Sequence, residues 1–428
     1  MRILAGGLLF GSLACAASVP VPSVTFNKDV LPILQKECQS CHRPGEVAPM
    51  SFLTYQDTRP WAKAIRGAVL TKKMPPWFAD PAYGHFANER KLSESQVNTL
   101  VRWADSGAPE GAAKDRPEPV AFVDGWNIGQ PDKTYELPKP YLVPAEGTIE
   151  YTYYVIPTGF TKDTWVAAAE VRPGNRAVLH HVIAFVRPPG STWMQDAVPG
   201  EPFVPGHGRR GGGSMSAIEN LVGYAPGLQP QRFDLGGGAA KLLPAGADIV
   251  LQMHYTANGK AATDVTKIGL IFAKTPPQRR LITMNATNAS FKIPAGDGNY
   301  EAHSQITLQD ASELVWLMPH MHLRGKDFEF RAVYPTGETE TLLKVPRFDF
   351  NWQLAYEEGK PLVLPKGTRI ECTAHFDNSV NNPANPNPNI EVRWGDQSWE
   401  EMMIGWIGVV IDAKADPAAL SGKTKASD

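Results

Sequence analysis

The sequence is poor in cysteine, has no long apolar run beyond its start and has no excess of charge of either sign. Only 4 of 428 residues are cysteine, and 42 Lys and Arg against 44 Asp and Glu give a formal net charge of −2. A balanced charge without a long basic run argues against a nucleic-acid partner or an anionic membrane surface. Beyond the start, no apolar stretch approaches the roughly 18 residues of a membrane helix. The sequence therefore predicts no membrane span.

The first 17 residues have the features of a secretory signal peptide. Arg2 is followed by a short apolar run, and small residues surround a cleavage point near Ala16. This arrangement predicts a mature chain released into the periplasm or secreted. A lipoprotein anchored through Cys15 is the weaker alternative, because Ser12 stands where a bulky apolar residue is usual.

Two cysteines and a histidine form a cofactor-attachment motif. Cys38 and Cys41 are separated by two residues, and His42 follows directly. In an exported chain this spacing is typical of covalent attachment of one haem c. A redox dithiol is the alternative, but the adjacent histidine and the lack of a strand–helix–strand pattern argue against it. With Cys15 in the signal peptide, only Cys372 remains, so no internal disulfide is expected in the rest of the mature chain.

Residues 24–110 are expected to form a small all-α domain. Helices are predicted to begin near Asn27 and near Asp57. The clearest helix follows Ser93, which forms a capping box with Gln96. Three short helices around a haem resemble class I c-type cytochromes.

In that resemblance the haem iron is bound by His42 and by a methionine. Met74 is the candidate methionine, because the two prolines after it favour an extended, rigid loop. A methionine ligand raises the reduction potential of a haem. Met50 and His85 are the alternatives for this position, and Met74 would then be an ordinary core residue.

A different kind of structure is expected after a proline-rich linker at 111–125. Short β-branched and aromatic runs broken by glycine and proline, such as 249–255, predict strands. We therefore expect two all-β antiparallel sandwiches, jelly-roll-like, at 126–287 and 288–412. The last residues, 413–428, have the composition of a disordered tail.

Two histidines on one predicted strand can share a metal ion. His320 and His322 are two residues apart, so their side chains point to the same face of a strand. Met402 adds a soft thioether, which favours Cu(I) over zinc or magnesium. Only the fold can bring Met402 beside this pair.

Three further histidines are less clearly ligands. His180 and His181 are adjacent, and neighbouring residues on a regular strand face opposite ways, so a shared ion requires a bulge or a strand end. His254 ends an apolar strand. Taken singly, each of these histidines is more often an ordinary core or surface residue.

The order of these groups on an all-β scaffold resembles the copper type II, ascorbate-dependent monooxygenases, the family of peptidylglycine α-hydroxylating monooxygenase and dopamine β-monooxygenase. The resemblance covers about residues 130–412 and rests on four motifs: Leu179-His180-His181-Val182, Gln252-Met253-His254-Tyr255, His320-Met321-His322-Leu323 and Glu400-Glu401-Met402. It implies two mononuclear copper sites, one in each sandwich, facing each other across an open, solvent-filled cleft.

The resemblance also implies a role for each site. His180, His181 and His254 would hold an electron-transfer copper. The catalytic copper, which binds dioxygen and hydroxylates an aliphatic carbon, would be held by His320, His322 and Met402. Each copper would supply one electron.

Departures from the family indicate the class of substrate. Met318, Ile404 and Trp406 stand where the peptide-processing member has polar residues that grip a carboxylate. A site without such partners cannot offset the cost of burying a carboxylate. The expected substrate is therefore small and weakly polar.

The fusion suggests an internal electron supply. A tethered haem, itself reduced by an unidentified donor, would replace ascorbate and raise the local concentration of reductant. The alternative from another functional class is a non-catalytic periplasmic electron-transfer or copper-binding protein. His207, His303 and His375 are read as structural or solvated, although His375 is also a candidate for a supporting role near the catalytic copper. The glycine-rich loop at 205–214 is read as a lid or a plain connector.

Overall fold

The protein is built mostly from β-strands, with short helices concentrated before residue 116. This computed structural model describes residues 24–123, 125–205, 219–228, 230–234 and 237–420, with the backbone alone at 418. The expected signal peptide, His207 and nearly all of the loop at 205–214 lie outside the described residues. The helices are α1 (Leu31–Glu37) after a π-helical turn (Phe26–Val30), α2 (Tyr55–Thr58), a 3₁₀ turn (Arg59–Trp61), α3 (Ala62–Leu70), α4 (Glu94–Asp105), a second 3₁₀ turn (Ala113–Asp115) and α5 (Pro417–Leu420).

Within the described residues, twenty-one strands follow the first helices. The first eleven are β1 (Lys133–Glu136), β2 (Tyr141–Val143), β3 (Thr152–Pro157), β4 (Thr164–Arg172), β5 (Leu179–Arg187), β6 (Glu219–Tyr224), β7 (Gln231–Arg232), β8 (Ala239–Leu243), β9 (Asp248–Tyr255), β10 (Ala262–Asp264) and β11 (Lys267–Phe272). The rest are β12 (Arg279–Asn288), β13 (Lys292–Ile293), β14 (Tyr300–Thr307), β15 (Ser312–His320), β16 (Gly325–Val333), β17 (Thr339–Val345), β18 (Tyr356–Leu364), β19 (Arg369–Phe376), β20 (Val392–Arg393) and β21 (Met403–Asp412).

The N-terminal helices share one apolar core, at whose centre Leu100 and Trp103 of α4 are fully buried. The predicted capping box is present, since the Ser93 hydroxyl accepts from the backbone N–H of Gln96 and the Gln96 side chain accepts from that of Ser93. Asn27 does not cap a helix as expected. Its side chain is buried and donates to the carbonyls of Gly111 and Ala112, so it ties the start of the chain to the proline-rich segment.

One nine-stranded sheet runs through both halves of the β region. Its order is β1-β11-β4-β8-β12-β21-β15-β18, with β7 paired to β4. The halves meet where β12 runs parallel to β8, at Arg279 opposite Ala239. The boundary expected at 287/288 therefore lies too late, because β12 pairs with β21 along its whole length and belongs with the second half.

A four-stranded sheet covers each half of the large sheet, which produces two β-sandwiches. The sheet β3-β9-β5-β6 packs on the first half, and β14-β19-β16-β17 packs on the second. In β19, buried and half-buried residues alternate, as expected where one face of a sheet meets the core. The two expected sandwiches are present, joined by a common sheet.

Part of the N-terminal segment packs on the second sandwich instead of on the helices. The rings of Trp77 and Phe86 contact Tyr356 of β18, with centroids 4.9 and 5.4 Å apart. Phe78 belongs to the same apolar core as the second sandwich. The stretch after α3 therefore fixes the helices to the β region.

The end of the chain is ordered further than its composition suggested. Residues 417–420 form α5, Leu420 is buried in the second sandwich, and its carbonyl accepts from the N–H of Gln309. The expectation of a disordered tail beginning at residue 413 is wrong for residues 413–420, because an apolar anchor lies within them. In the part of the chain that is described, no helix is long and apolar enough to cross a membrane.

A glycine in the central strand β21 makes room for a large side chain. Gly408 lies opposite Trp316 of β15 at a bulge in that strand. A Cβ atom at position 408 would overlap the indole ring of Trp316. Packing of the Trp316 ring against the shared sheet therefore requires glycine at position 408.

Replacing that glycine tests the packing of the shared sheet. Gly408→Ala should lower the free energy of unfolding by about 1–3 kcal/mol, because overpacking forces neighbouring groups to shift. Gly298→Ala is the control, since a Cβ there would make only ordinary contacts of 3.5–3.7 Å. Urea denaturation followed by far-UV circular dichroism measures both variants. Equal stability of the two would contradict the packing described.

Candidate metal centres

Three histidines converge where β5 and β9 pair. His181 lies opposite His254, and the register shifts between Leu179 and His181, so His180 is the extra residue of a β-bulge. A bulge is the irregularity that lets two adjacent side chains turn to the same side. The bulge that a shared ion at His180 and His181 would require is therefore present.

The ring nitrogens of these histidines are at ligand spacing. Nδ1 of His181 lies 3.1 Å from Nδ1 of His180 and 3.3 Å from Nδ1 of His254. Two nitrogens bound at about 2.0 Å to one tetrahedral ion lie about 3.3 Å apart. The three residues form a group whose ligand atoms all lie within 4.8 Å of one another. We call His180, His181 and His254 the first histidine group.

Burial keeps the first histidine group uncharged. Desolvation lowers the pKa of His180 to about 4 and that of His254 to about 3, and it lowers the pKa of His181 well below its usual value. Neutral imidazoles offer lone pairs to a metal ion, whereas protonated imidazoles do not. The buried Nε2 atoms of His180 and His181 have no hydrogen-bond partner among the described residues.

A second histidine group, His320 and His322, lies at the end of β15. Nδ1 of His320 is 3.0 Å from the side-chain carbonyl oxygen of Gln353, and Nδ1 of His322 is 3.2 Å from the backbone carbonyl of Glu400. Because carbonyl oxygens only accept hydrogen bonds, Nδ1 carries the proton on both rings. Nε2 of each ring then carries no proton and offers a lone pair. Nε2 of His322 is buried without a hydrogen-bond partner among the described residues. Such outer hydrogen bonds orient metal-binding histidines.

The buried carboxyl group of Glu401 links the backbones of His322, Arg324 and Met402. Its Oε2 accepts from the backbone N–H of His322 at 2.8 Å and from that of Met402 at 3.3 Å, and its Oε1 accepts from the N–H of Arg324. Burial raises the pKa of Glu401 to about 8, while these N–H donors and the Arg324 guanidinium act in the opposite direction. The strand pairing of β15 with β21 ends at His320 and Ile404, two residues before His322 and two residues after Met402. Met402 as a ligand of the second histidine group stays a prediction.

The two histidine groups are not separated by an open cleft. Only 3% of His181, 8% of His254, 7% of His320 and none of His322 is exposed. Phe350 lies between the groups, with its ring stacked on His180 at 5.2 Å and edge-on to His322 at 5.9 Å. The expectation of an open, solvent-filled cleft is wrong for this structure, because the loop from 346 to 355 carries Phe350 into the space between the sites.

A small apolar cavity of about 30 Å³ touches both groups. Its lining includes His181 and His320 together with Met318 and Trp406, two of the three residues singled out as replacing carboxylate-gripping side chains. Among the described residues that line it there is no Lys or Arg. Ile404, the third, is buried in the adjacent core. The surroundings of the cavity suit an apolar molecule better than a carboxylate.

The haem-attachment motif forms a turn after α1. The N–H of His42 donates to the carbonyl of Cys38, and the His42 ring stacks on Phe52 with centroids 4.3 Å apart. Nδ1 of His42 is buried without a partner among the described residues, and burial lowers the pKa of this ring. Burial also raises the pKa of the Cys38 thiol to about 12. Cys38 and Cys41 are both free thiols, so the two attachment points that the motif predicts are available.

The two candidate methionines for the haem iron lie in different places. Met50 packs against the helical core together with Cys38. Met74 follows the end of α3, where its N–H donates to the carbonyl of Ala68. Met74 therefore stays the predicted ligand, with Met50 and His85 as its alternatives. The backbone of His85 pairs with Gly359 of the second sandwich.

The remaining described histidines lie outside both groups. His375 contacts Asp327 at 2.7 Å and Glu301 at 3.0 Å, and His303 contacts Glu301 at 2.8 Å, all on the outer face of the sheet that contains β14 and β19. These contacts fit the structural reading of both histidines. Sequence patterns gave no role to Gln353, Phe350 or Glu401, because their contacts with the histidines join distant parts of the chain.

Comparisons with known proteins do not assign this chain to a family. No family model matches the sequence, and no curated protein matches it either. Similar solved structures include the infectious bursal disease virus VP2 subviral particle, with 12% identity, 68% of this chain and 74% of that chain covered and a TM-score of 0.18. An allantoicase is 9% identical, with 56% of this chain and 79% of that chain covered and a TM-score of 0.16. VP54 of PBCV-1 is 9% identical, with 67% of this chain and 99% of that chain covered and a TM-score of 0.19. Scores this low carry no conclusion about fold or function.

Removing the partner of His320 should weaken the second site selectively. We expect Gln353→Leu to lower its copper affinity by about 10–100-fold, because the ring loses the hydrogen bond that orients it. The first histidine group should keep its affinity. Competition titration with a copper chelator measures both sites. Gln305→Leu, at an exposed position, is the control. Unchanged copper affinity of the second site in Gln353→Leu would show that the contact between Gln353 and His320 does not orient the ring.

The lowered pKa values predict how the first site responds to acid. Between pH 7 and pH 5 its histidines are already neutral, so protons compete weakly with the metal. Ordinary histidines, with a pKa near 6.5, would lose about tenfold in affinity per residue for each pH unit below that value. The measurement is a chelator competition at pH 7, 6 and 5 in a His320→Ala background, which removes a ligand of the second site. A steep fall in affinity over this range would contradict the neutral state of the buried rings.

Proposed function

We propose that the protein is a copper-dependent monooxygenase that hydroxylates an aliphatic C–H group of a small, weakly polar substrate with dioxygen. Its electrons would arrive through a covalently bound haem c, which an external donor reduces. The observation that supports the proposal is the pair of buried histidine groups bordering one largely apolar cavity, through His181 and His320. The periplasmic or secreted location stays a prediction from the first 17 residues.

The donor atoms at both groups suit copper. Neutral imidazoles are ligands for copper and zinc alike, but a thioether favours Cu(I). His180, His181 and His254 would hold the electron-transfer copper, and His320, His322 and Met402 the oxygen-binding copper. When bound, the two ions supply dioxygen activation and one electron each.

The protein's own residues set the conditions for that chemistry. Gln353 and the carbonyl of Glu400 keep Nε2 of both histidines in the second group free of protons. Glu401 fixes the backbone of His322 and Met402 on one carboxylate. Met318 and Trp406 give the cavity an apolar wall, which would exclude water from the reacting centre.

A substrate needs more room than the cavity offers. At about 30 Å³ the space holds little more than a water-sized or dioxygen-sized molecule. Phe350 and the rest of its loop would have to move for an organic molecule to reach the second histidine group. This observation favours the alternative function, a non-catalytic periplasmic electron-transfer or copper-binding protein, if the loop stays closed.

Metal content tests the proposed sites. Protein matured in a bacterial periplasm and loaded with copper should carry about two copper ions per haem. His181→Ala and His320→Ala should each lower this to about one, because each removes a ligand of a different site. His375→Ala, an exposed-face histidine with carboxylate partners, is the control and should change nothing. Zinc in place of copper, or copper content indifferent to His320→Ala, would contradict the proposal.

Oxygen uptake separates the two functions. The monooxygenase should consume dioxygen in proportion to an added small apolar substrate, and His320→Ala should abolish that coupling while the haem stays reducible. Copper binding at both sites without substrate-coupled oxygen uptake, even in a Phe350→Ala variant with a widened entry, would favour the non-catalytic function.

A further inference from the structure

The segment after α3 contacts both strands that flank the loop at 346–355. β17 ends at Val345 and β18 begins at Tyr356, and the loop between them carries Phe350 to the two histidine groups. β17 is an edge strand of its four-stranded sheet, and β18 is an edge strand of the nine-stranded sheet. We call residues 77–88 the strap and residues 346–355 the access loop. The strap lies against both sheet edges.

At the start of the access loop, the strap contacts β17 and the first loop residues. The backbone N–H of Asp80 donates to the carbonyl of Lys344 at 2.8 Å. The guanidinium of Arg347 lies 5.4 Å from the centre of the Phe78 ring, which is buried in the core of the second sandwich. A cation at this distance from an aromatic ring is attracted to it. The N-terminal segment therefore holds the beginning of the loop.

At the end of the access loop, the strap pairs with β18 as a short added strand. The N–H of Ala87 donates to the carbonyl of Glu357 at 2.8 Å, and the N–H of Gly359 donates to the carbonyl of His85 at 2.7 Å. The pairing is antiparallel. An edge strand presents backbone N–H and C=O groups that need partners, and the strap supplies them here.

Asn88 joins the strap to the last residue of the access loop. Its side-chain N–H donates to the carbonyl of Ala355 at 2.8 Å, and its side-chain carbonyl accepts from the N–H of Glu357 at 3.1 Å. The Trp77 ring packs on Tyr356, between these two residues, with centroids 4.9 Å apart. One side chain thus fixes the backbone on both sides of the point where the loop becomes a strand.

The middle of the access loop forms hydrogen bonds within itself. The backbone N–H groups of Asn351, Trp352 and Leu354 donate to acceptors in the loop, and the side-chain N–H of Gln353 donates to the carbonyl of Phe350. These bonds give the loop its shape but do not attach it to a sheet. Its position between the histidine groups therefore depends on its side-chain contacts and on how its two ends are held.

We propose that the strap is a latch that holds the access loop closed, so that the N-terminal segment controls access to both histidine groups. Release of the strap from β18 frees the end of the loop, and Phe350 then leaves the space between the groups. Because the strap lies between α3 and α4 in the chain, a movement of these helices reaches the loop directly. The inference concerns the position of the loop and does not depend on what the histidine groups bind.

Removing the Asn88 side chain tests the latch. Asn88→Ala loses both hydrogen bonds to the backbone around Tyr356 and should favour the open loop, because a local opening costs less when fewer contacts must break. Asn288→Ala is the matched control. The half-buried Asn288 side chain likewise donates to one backbone carbonyl, that of His303, and accepts from one backbone N–H, that of Ser290, outside the strap and the access loop.

The first readout is amide hydrogen exchange of the full-length protein, measured by mass spectrometry in peptides that cover residues 348–354. The N–H groups of Phe348, Trp352 and Leu354 donate to acceptors outside the strap, so faster exchange there reports motion of the loop and not the loss of a bond to Asn88. We expect exchange to be about tenfold faster in Asn88→Ala, since two hydrogen bonds are lost, and unchanged in Asn288→Ala. Unchanged exchange in Asn88→Ala, or equally faster exchange in both variants, would overturn the latch.

A second variant separates loop opening from a general loss of stability. Trp77→Leu keeps an apolar side chain but removes the ring contact with Tyr356, and it should also speed exchange in the access loop. Exchange in β19, in the core of the same sandwich, is compared in every variant, because global unfolding speeds exchange everywhere. Faster exchange confined to the loop supports the latch, and an equal acceleration in β19 contradicts it.

The second readout is the reaction of histidine rings with diethyl pyrocarbonate in chelator-treated protein, located by mass spectrometry. The rings of His181, His254, His320 and His322 are almost inaccessible to water, so they should react slowly in the parent protein and several-fold faster in Asn88→Ala. His375, on the outer face of the sheet, is the internal reference and should react equally in both. Faster loop exchange with unchanged reactivity of the buried histidines would show that the strap does not control access. Since no bound copper, haem or substrate is needed, this result is independent of the proposed function.

Discussion

Burial of uncharged imidazole rings is the constraint on which the rest of the structure depends. His181, His254, His320 and His322 are nearly inaccessible to water, and desolvation lowers the pKa of each. Buried nitrogens that lack a partner are costly in a folded protein. The rings of His320 and His322 contact carbonyl oxygens. The Nδ1 atom of His181 lies at ligand distance from the Nδ1 atoms of its two neighbours in the first histidine group. A metal ion at each group would compensate this cost, which ties the stability of the site to its loading.

The two histidine groups lie on different sheets of the joined β region. His320 ends β15 of the nine-stranded sheet, whereas the first histidine group lies on β5 and β9 of the four-stranded sheet that packs on it. The parallel contact between β8 and β12 joins the sandwiches edge to edge. The loop that carries Phe350 and Gln353 then touches both histidine groups at once. The closeness of the two histidine groups therefore depends on the packing of two sheets and on this loop, which contacts both groups. The N-terminal segment contacts the β region through the ion pair of Glu46 with Arg176 and through the contact of the Trp77 ring with Tyr356.

Some features could be predicted from the sequence because their cause is local. The capping box at Ser93 and Gln96 needs only three residues of spacing, and the structure contains it. The shared face of His320 and His322 follows from the period of a strand, and their ring centroids lie 5.4 Å apart. By contrast, Asn27 had the residue type of a helix cap, yet its side chain found partners more than 80 residues away. Leu420 likewise anchors a stretch whose composition suggested disorder, because burial of one apolar side chain outweighs a polar neighbourhood.

The sequence by itself determined the chemical nature of the donors: two cysteines with an adjacent histidine, two histidine clusters and a methionine. It also determined that strands would dominate after the linker, since β-branched and aromatic runs recur there between glycines and prolines. Only the tertiary structure decided which donors meet. The bulge at His180, the carboxyl group of Glu401 that binds the backbone of His322, and the ring of Phe350 between the two histidine groups all depend on contacts between distant parts of the chain. Residue type and spacing fix local geometry, but such distant contacts arise only when the whole core packs.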